Sequence, residues 1–291
     1  MRAVKFFNFK PTMKNVKIEA KDGYKLSAHL FEPENPNGKF LIVNSATGVR
    51  QQVYFNFANH LSKKGFTVLT YDYRGIGESK PKKMKGFVGS MRMWGSEDFA
   101  GISEYVFSKY SSFDVFCLGH SVGALIAGMN PDSLKIKKFV FIATQKAYVG
   151  NLDFKTKLLA YSAFSVFLPL STNLLGYFPA HWFGLGETLP KGTAFDWQTL
   201  ILNKKSTNKL LESIPDYSKK LTQDVTILEI QDDSWVTRKG IESLMSETYP
   251  NMNYRIRRIL TSESQAGEIG HVNYFRSYNE KLWQIIVDEL L

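Results

Sequence analysis

Cysteine is almost missing: Cys117 stands alone in 291 residues. One thiol permits no internal disulfide and no thiolate metal cage, which fits a cytoplasmic protein. A long apolar run is missing too. The longest, Leu158 to Leu170, includes two serines and meets Pro169 near its end, too short to span a bilayer. No stable membrane insertion is expected. Met1 to Lys14 is basic and aromatic but has no apolar centre or small-residue cleavage site, so no signal peptide is expected. Acidic residues are in deficit, 27 Asp and Glu against 37 Lys and Arg, for a formal net charge of +10. That balance raises nucleic acid as a partner. The basic residues are spread along the chain, however, and no nucleic-acid motif accompanies them. Only Lys80 to Lys85 is dense, so the charge reads as a basic solvated surface and no nucleic-acid partner is expected.

What is present is an ordinary globular composition, 44% hydrophobic and 22% charged, at a length that suits one large domain or one domain with an insertion. Asn15 to Ala20 and Tyr24 to Phe31 alternate apolar and polar residues around Lys21-Asp22-Gly23, which predicts a hairpin. Short apolar runs at Phe40 to Val43, Phe66 to Tyr71, Phe139 to Ala143 and Val225 to Ile230 are those of strands buried on both faces. Helical spacings separate them at Gln51 to Lys64, Gly95 to Tyr110 and Arg238 to Glu247. A strand near Tyr254 to Leu260 and a last helix from Tyr274 to Leu290 complete the rhythm. The alternation predicts the α/β class: a mostly parallel central sheet with helices on both faces. From Thr144 to Lys220 no clear strand is visible, only helical apolar segments and a Gly/Pro/aromatic-rich stretch from Gly176 to Glu187. The expected division is a core of residues 1–143 and 221–291 and a helical cap over the sheet's C-terminal edge at 144–220.

Phe113 to Ala127 reads as an apolar strand, a turn with glycine two positions either side of a serine, and the start of a small-residue helix. This is the G-x-S-x-G nucleophile elbow. To present Ser121 Oγ above a sheet, the chain passes from strand to helix in one sharp turn. Residues two before and two after must then lack bulky side chains, and Gly119 and Gly123 meet that demand. A chance glycine–serine turn is the bland alternative; the strand before and helix after argue against it.

In a parallel open sheet, ligands sit off the C-terminal strand ends, so partners for Ser121 are sought there. A hydroxyl needs a base to take its proton, and a neutral imidazole needs a carboxylate to fix its tautomer. The strand ending at Ile230 is followed by Gln231-Asp232-Asp233-Ser234, and the one ending near Leu260 by a loop with Gly270-His271-Val272. Spacing alone leaves Asp232 and Asp233 both open. The other histidines fit less well. His120 adjoins the serine in a turn where successive side chains point apart; His29 and His60 fall in a hairpin and a helix; His181 lies in the insertion. Asp72 precedes a glycine turn whose N–H groups it can satisfy. An oxyanion needs two donors: the N–H of Val122, and one from the turn after Val43, with Ala46 first and Thr47 second as candidates.

Over nearly its full length the chain resembles the α/β-hydrolase superfamily. Val43-Asn44-Ser45-Ala46 stands where many relatives have His-Gly-x, Tyr71 to Ser79 looks like their strand-4 turn, and Gly119 to Gly123 is their elbow. Ile230 to Thr237 looks like their Gly-x-x-Asp-x-x-x-Pro acid loop, a likeness that implies Asp233 as the acid, and Gly270-His271 matches their histidine. Asn44-Ser45 in place of His-Gly, and Ile230 in place of glycine, depart from the pattern. The tract from Gly176 to Trp197, with Ile269 to Arg276, is similar to a little-characterised branch of bacterial hydrolases near the serine-aminopeptidase and monoacylglycerol-lipase-like groups.

These residues lead to the expectation of a serine hydrolase acting on a small or medium, apolar acyl ester, and less readily on an amide or thioester. Ser121 attacks, His271 shuttles the proton, Asp233 orients His271, and the Val122 and Ala46 amides hold the oxyanion. Such chemistry requires no metal and no organic cofactor. The same groups serve an acyltransferase if water is excluded, which a transfer-against-hydrolysis assay separates; a non-catalytic binding protein on this fold is expected to have lost one of them. Leu158 to Leu168 is apolar almost all round, more than packing onto a sheet requires. The surplus must meet the catalytic cleft, a second subunit of a homodimer, or a membrane. The insertion leaves and rejoins the sheet near Ser121, so the cleft is expected, with Phe164, Phe167 and Tyr177 as acyl-pocket residues.

Overall fold

The computed structural model describes residues 12–291. The segment weighed above as a signal peptide therefore lies, save for 12–14, outside the described residues. Among the described residues the central sheet has eight strands, in the order β1-β2-β4-β3-β5-β6-β9-β10. Its members are β1 (Thr12–Glu19), β2 (Lys25–Glu32), β3 (Lys39–Asn44), β4 (Thr67–Tyr71), β5 (Asp114–His120), β6 (Lys138–Ile142), β9 (Asp224–Ile230) and β10 (Asn253–Ile259). The first two form the expected antiparallel hairpin and β2 joins β4 antiparallel; every other pairing is parallel.

The apolar runs explain the layering. In β3 and β5 alternate residues enter opposite layers: Phe40, Ile42 and Cys117 pack under one face, Leu41, Val43, Phe116 and Leu118 under the other. With period two and both faces apolar, such a strand is stable only with helices on either side. Burial pushes the Cys117 thiol well above its ordinary value, as for a small apolar core residue.

Chain order and sheet order diverge at one place. The chain steps from β3 outward to β4, then crosses back to lay β5 on the other flank of β3. The C-terminal ends of β3 and β5 thus border the crevice where the winding reverses, the place where open α/β sheets bind ligands.

Three elements differ from expectation. The segment behind Ser121 is one short helix, Val122–Leu125, followed by a 3-10 turn, Ile126–Met129, because Asn130-Pro131 ends it. The last helix runs Glu280–Leu290, not from Tyr274. Tyr274 Oη donates to the Leu282 carbonyl and Trp283 Nε1 to that of Tyr274, which folds the preceding residues into 3-10 turns instead. Between β6 and β9 there is a two-stranded sheet, β7 (Tyr177–Phe178) with β8 (Leu189–Pro190), too short to show a period in sequence.

Candidate active site

Ser121 sits at the top of β5 with φ 53° and ψ −116°, one of three non-glycine residues with positive φ among the described residues. Such a backbone costs on the order of 1–3 kcal/mol and persists where surrounding contacts enforce it. The flanking glycines show how. A Cβ on Gly123 would lie 2.2 Å from the Asn44 carbonyl oxygen, and one on Gly119 2.7 Å from Ala124 Cα. The elbow is thus pressed against the end of β3. The Ser121 amide donates to the Ile142 carbonyl at 2.9 Å, and Thr144 Oγ1 donates to the Ser121 carbonyl at 2.9 Å.

Asp232 and Asp233 divide two tasks. His271 Nδ1 lies 2.7 Å from Asp233 Oδ2, whose side chain is fully buried, while Asp233 Oδ1 accepts from the Trp235 amide at 2.9 Å. With Nδ1–H directed at the carboxylate, Nε2 is left with its lone pair. Asp232 takes the loop itself, accepting the amides of Ile269 at 2.8 Å and Gly270 at 2.9 Å. One carboxylate positions the imidazole and its neighbour positions the backbone that carries it.

Ser121 and His271 line one cavity of about 520 Å³. Its remaining wall is mostly apolar: Leu125, Leu152, Trp197, Ile201, Trp235 and Val236, with Thr47 and the 184–187 turn at one side. That turn is joined to the turn after β3 by a bond from the Glu187 amide to the Gly48 carbonyl at 2.8 Å. The Glu187 carboxylate meets Arg50 at 3.6 Å and also pairs with Lys80.

Two expectations need correction. Ala46 borders the cavity, but its N–H donates to Tyr54 Oη at 3.0 Å, so it is not free to hold an oxyanion. Thr47 N–H, with Val122 N–H, has no hydrogen-bond acceptor among the described residues, and Thr47 faces the cavity. Of the two amides considered in this turn, the one left without an acceptor is that of Thr47. Phe164, Phe167 and Tyr177 do not line the cavity. Phe164 is buried one layer behind, its ring edge-on to Trp197 at 5.0 Å; Phe167 points to solvent; Tyr177 pairs in β7 with Pro190. The wall is instead Leu152 and the Trp197–Ile201 face of the helix Lys191–Leu202. Trp235, Val236 and Val272 were not singled out in the sequence, although they flank the acid and the histidine.

His120 is also in place, though not as a base. Its Nε2 donates to the His271 carbonyl at 2.8 Å, so its Nδ1 accepts from Tyr54 Oη at 2.8 Å. Burial first, and the His271 charge second, hold His120 down to about 3, so it is neutral and this tautomer is fixed. Tyr54 thus joins the turn after β3 to the histidine loop through His120. His29, His60 and His181 pair with Gln51, Glu280 and Thr188, away from the cavity.

Residues 36–160 match the family model described as serine aminopeptidase, S33. In sequence the chain is 24% identical over 250 residues to a protein phosphatase methylesterase of Candida albicans, covering 80% of this chain and 61% of that one. It is 32% identical over 112 residues to a probable lysophospholipase of Haemophilus influenzae, 38% of this chain and 36% of that one. The chain thus spans under two thirds of the length of either relative. In structure it resembles an esterase of Pyrococcus furiosus, with TM-score 0.59 and 14% identity over 99% of this chain and 95% of that one. At that identity the likeness speaks to the fold.

Proposed function

We propose that this chain is an α/β hydrolase that cleaves carboxylic esters with Ser121 as nucleophile, a reading supported by the family model over residues 36–160 and the shared fold. The observation that carries the reading is the 2.7 Å contact of Asp233 with His271, on a loop that brings the imidazole into the cavity shared with the strained Ser121. Ser121 Oγ attacks the ester carbonyl while His271 Nε2 takes its proton. The oxyanion is received by the N–H groups of Val122 and Thr47. His271 then gives the proton to the departing alkoxide, leaving an acyl group on Ser121. A water, deprotonated by His271 in turn, releases the acid. The apolar wall at Leu152, Trp197 and Ile201 favours an apolar acyl group. Each methylene buried there is worth roughly 0.8 kcal/mol, so kcat/KM rises several-fold from acetyl to butyryl esters. The insertion 144–220 acts as the cap over this pocket. Labelling by a fluorophosphonate probe tests the reading directly. Ser121→Ala should lose labelling and at least about 10⁴-fold in kcat with unchanged circular dichroism. Full activity in that variant ends the proposal.

A further inference from the structure

The insertion carries a face that nothing among the described residues covers. Phe154–Leu175 is one continuous helix of 22 residues, longer than its apolar run suggests and long enough by length and composition to cross a membrane. Only Ala160, Phe164, Leu168 and Thr172, spaced four apart, are buried against the body. The opposite ridge, on the same spacing and interrupted once by Ser162, is Phe154, Leu158, Val166, Leu170 and Leu174, with exposures of 81, 62, 55, 67 and 78%. Trp182, in the turn that follows, is exposed as well. The cleft expected to take this surface lies on the other side, behind Trp197.

Charge singles out the occupant. From Phe154 to Gly186 the chain has no acidic residue. Lys155 and Lys157 stand in the helix's first turn, both exposed. At its far end the Lys82-Lys83-Met84-Lys85 loop comes alongside, with Lys85 Cγ 2.9 Å from where a Cβ of Gly176 would lie. Asp153 caps the first turn and offsets one of its two lysines, so the apolar ridge is net basic at both ends. A two-fold dimer would bring lysine against lysine in either orientation. A layer of anionic headgroups over acyl chains complements both features.

We propose that this face docks peripherally on an anionic lipid bilayer, the ridge at acyl depth and the lysines among the headgroups. The docking does not depend on the esterase reading. Its test is flotation of the full chain with vesicles of equal parts phosphatidylcholine and phosphatidylglycerol. Wild type should float with them and bind phosphatidylcholine vesicles more weakly. Leu158→Ser, Leu170→Ser and Leu174→Ser combined should cut partitioning at least about tenfold. Lys82, Lys83 and Lys85→Gln should cut it by about a hundredfold on the anionic vesicles, at roughly 1 kcal/mol per lysine. Both variants should keep wild-type turnover of soluble p-nitrophenyl acetate, which reads the fold and the active site separately from the surface. Absence of flotation, binding that neither variant weakens, or retention through an alkaline carbonate wash each overturns surface docking. So does a wild-type dimer in light scattering that the leucine variant turns to monomer, which would assign the ridge to a second copy.

Discussion

Asp232 and Asp233 are adjacent, chemically identical, and separable only by what each faces. Asp233→Asn removes the charge that fixes the His271 tautomer and should lower kcat on the order of 10⁴-fold. Asp232→Asn loses one of two charge-assisted bonds to the loop amides and should cost about 1.5–3 kcal/mol of stability with a lesser loss of rate. Parallel melting curves and p-nitrophenyl ester kinetics check both; a reversed ranking would refute the assignment of tasks. Spacing in the sequence could not decide this, because both carboxylates lie in one turn and only the turn's geometry sends them apart. Nor could it tell which amide in the turn after β3 is left free. Ser121, Gly119 and Gly123 were legible because elbow sterics dictate residue types. The engagement of Ala46 is set by a hydroxyl eight residues on, Tyr54, whose direction no periodicity reports.

For elements, the useful contrast lies between the helix Phe154–Leu175 and the helix Lys191–Leu202. The first was legible as a helix apolar on too many sides. That its surplus faces outward was not, since hydropathy records how much apolar surface there is and not where the chain turns it. The second helix forms the cavity wall with Trp197 and Ile201, and Phe164 only supports Trp197 from behind. Three substitutions separate these roles. Trp197→Ala should flatten the acyl-chain preference. Phe164→Ala should cost about 3–5 kcal/mol in urea unfolding through a cavity between packed rings. Phe167→Ala, at an exposed site, should stay within about 0.5 kcal/mol of wild type and leave the preference intact. Loss of chain-length preference in Phe167→Ala alone would restore the pocket role expected from sequence.

Taken as a whole molecule, the β/α alternation was readable because each doubly covered strand needs a continuous apolar run. The edge hairpin was readable from its Asp-Gly turn. Tertiary hydrogen bonding, which reshapes the start of the last helix, leaves no local signature. It does leave a global one. His120 binds a proton near 6.5 in the unfolded chain but only near 3 when folded. Its contribution to stability is therefore complete above pH 6.5 and is lost progressively as the pH falls from there towards 3. The slope from this one group is about 1.4 kcal/mol per pH unit at most. Unfolding free energies between pH 7 and 4 should fall less steeply for His120→Gln than for wild type, and equal slopes would show that this histidine is not the group responsible.

The bond from the Glu187 amide to the Gly48 carbonyl ties the segment that shapes the pocket to the turn that carries Thr47. On the proposed mechanism, substitutions at 184–187 that suit a new acyl group should disturb the Thr47 amide as well. In evolutionary terms, the proposed mechanism predicts that substrate range and turnover are inherited together in this scaffold. A library randomised at 184–187 makes this measurable: clones with altered chain preference should also have altered kcat on acetyl esters, and independent variation of the two would deny the linkage.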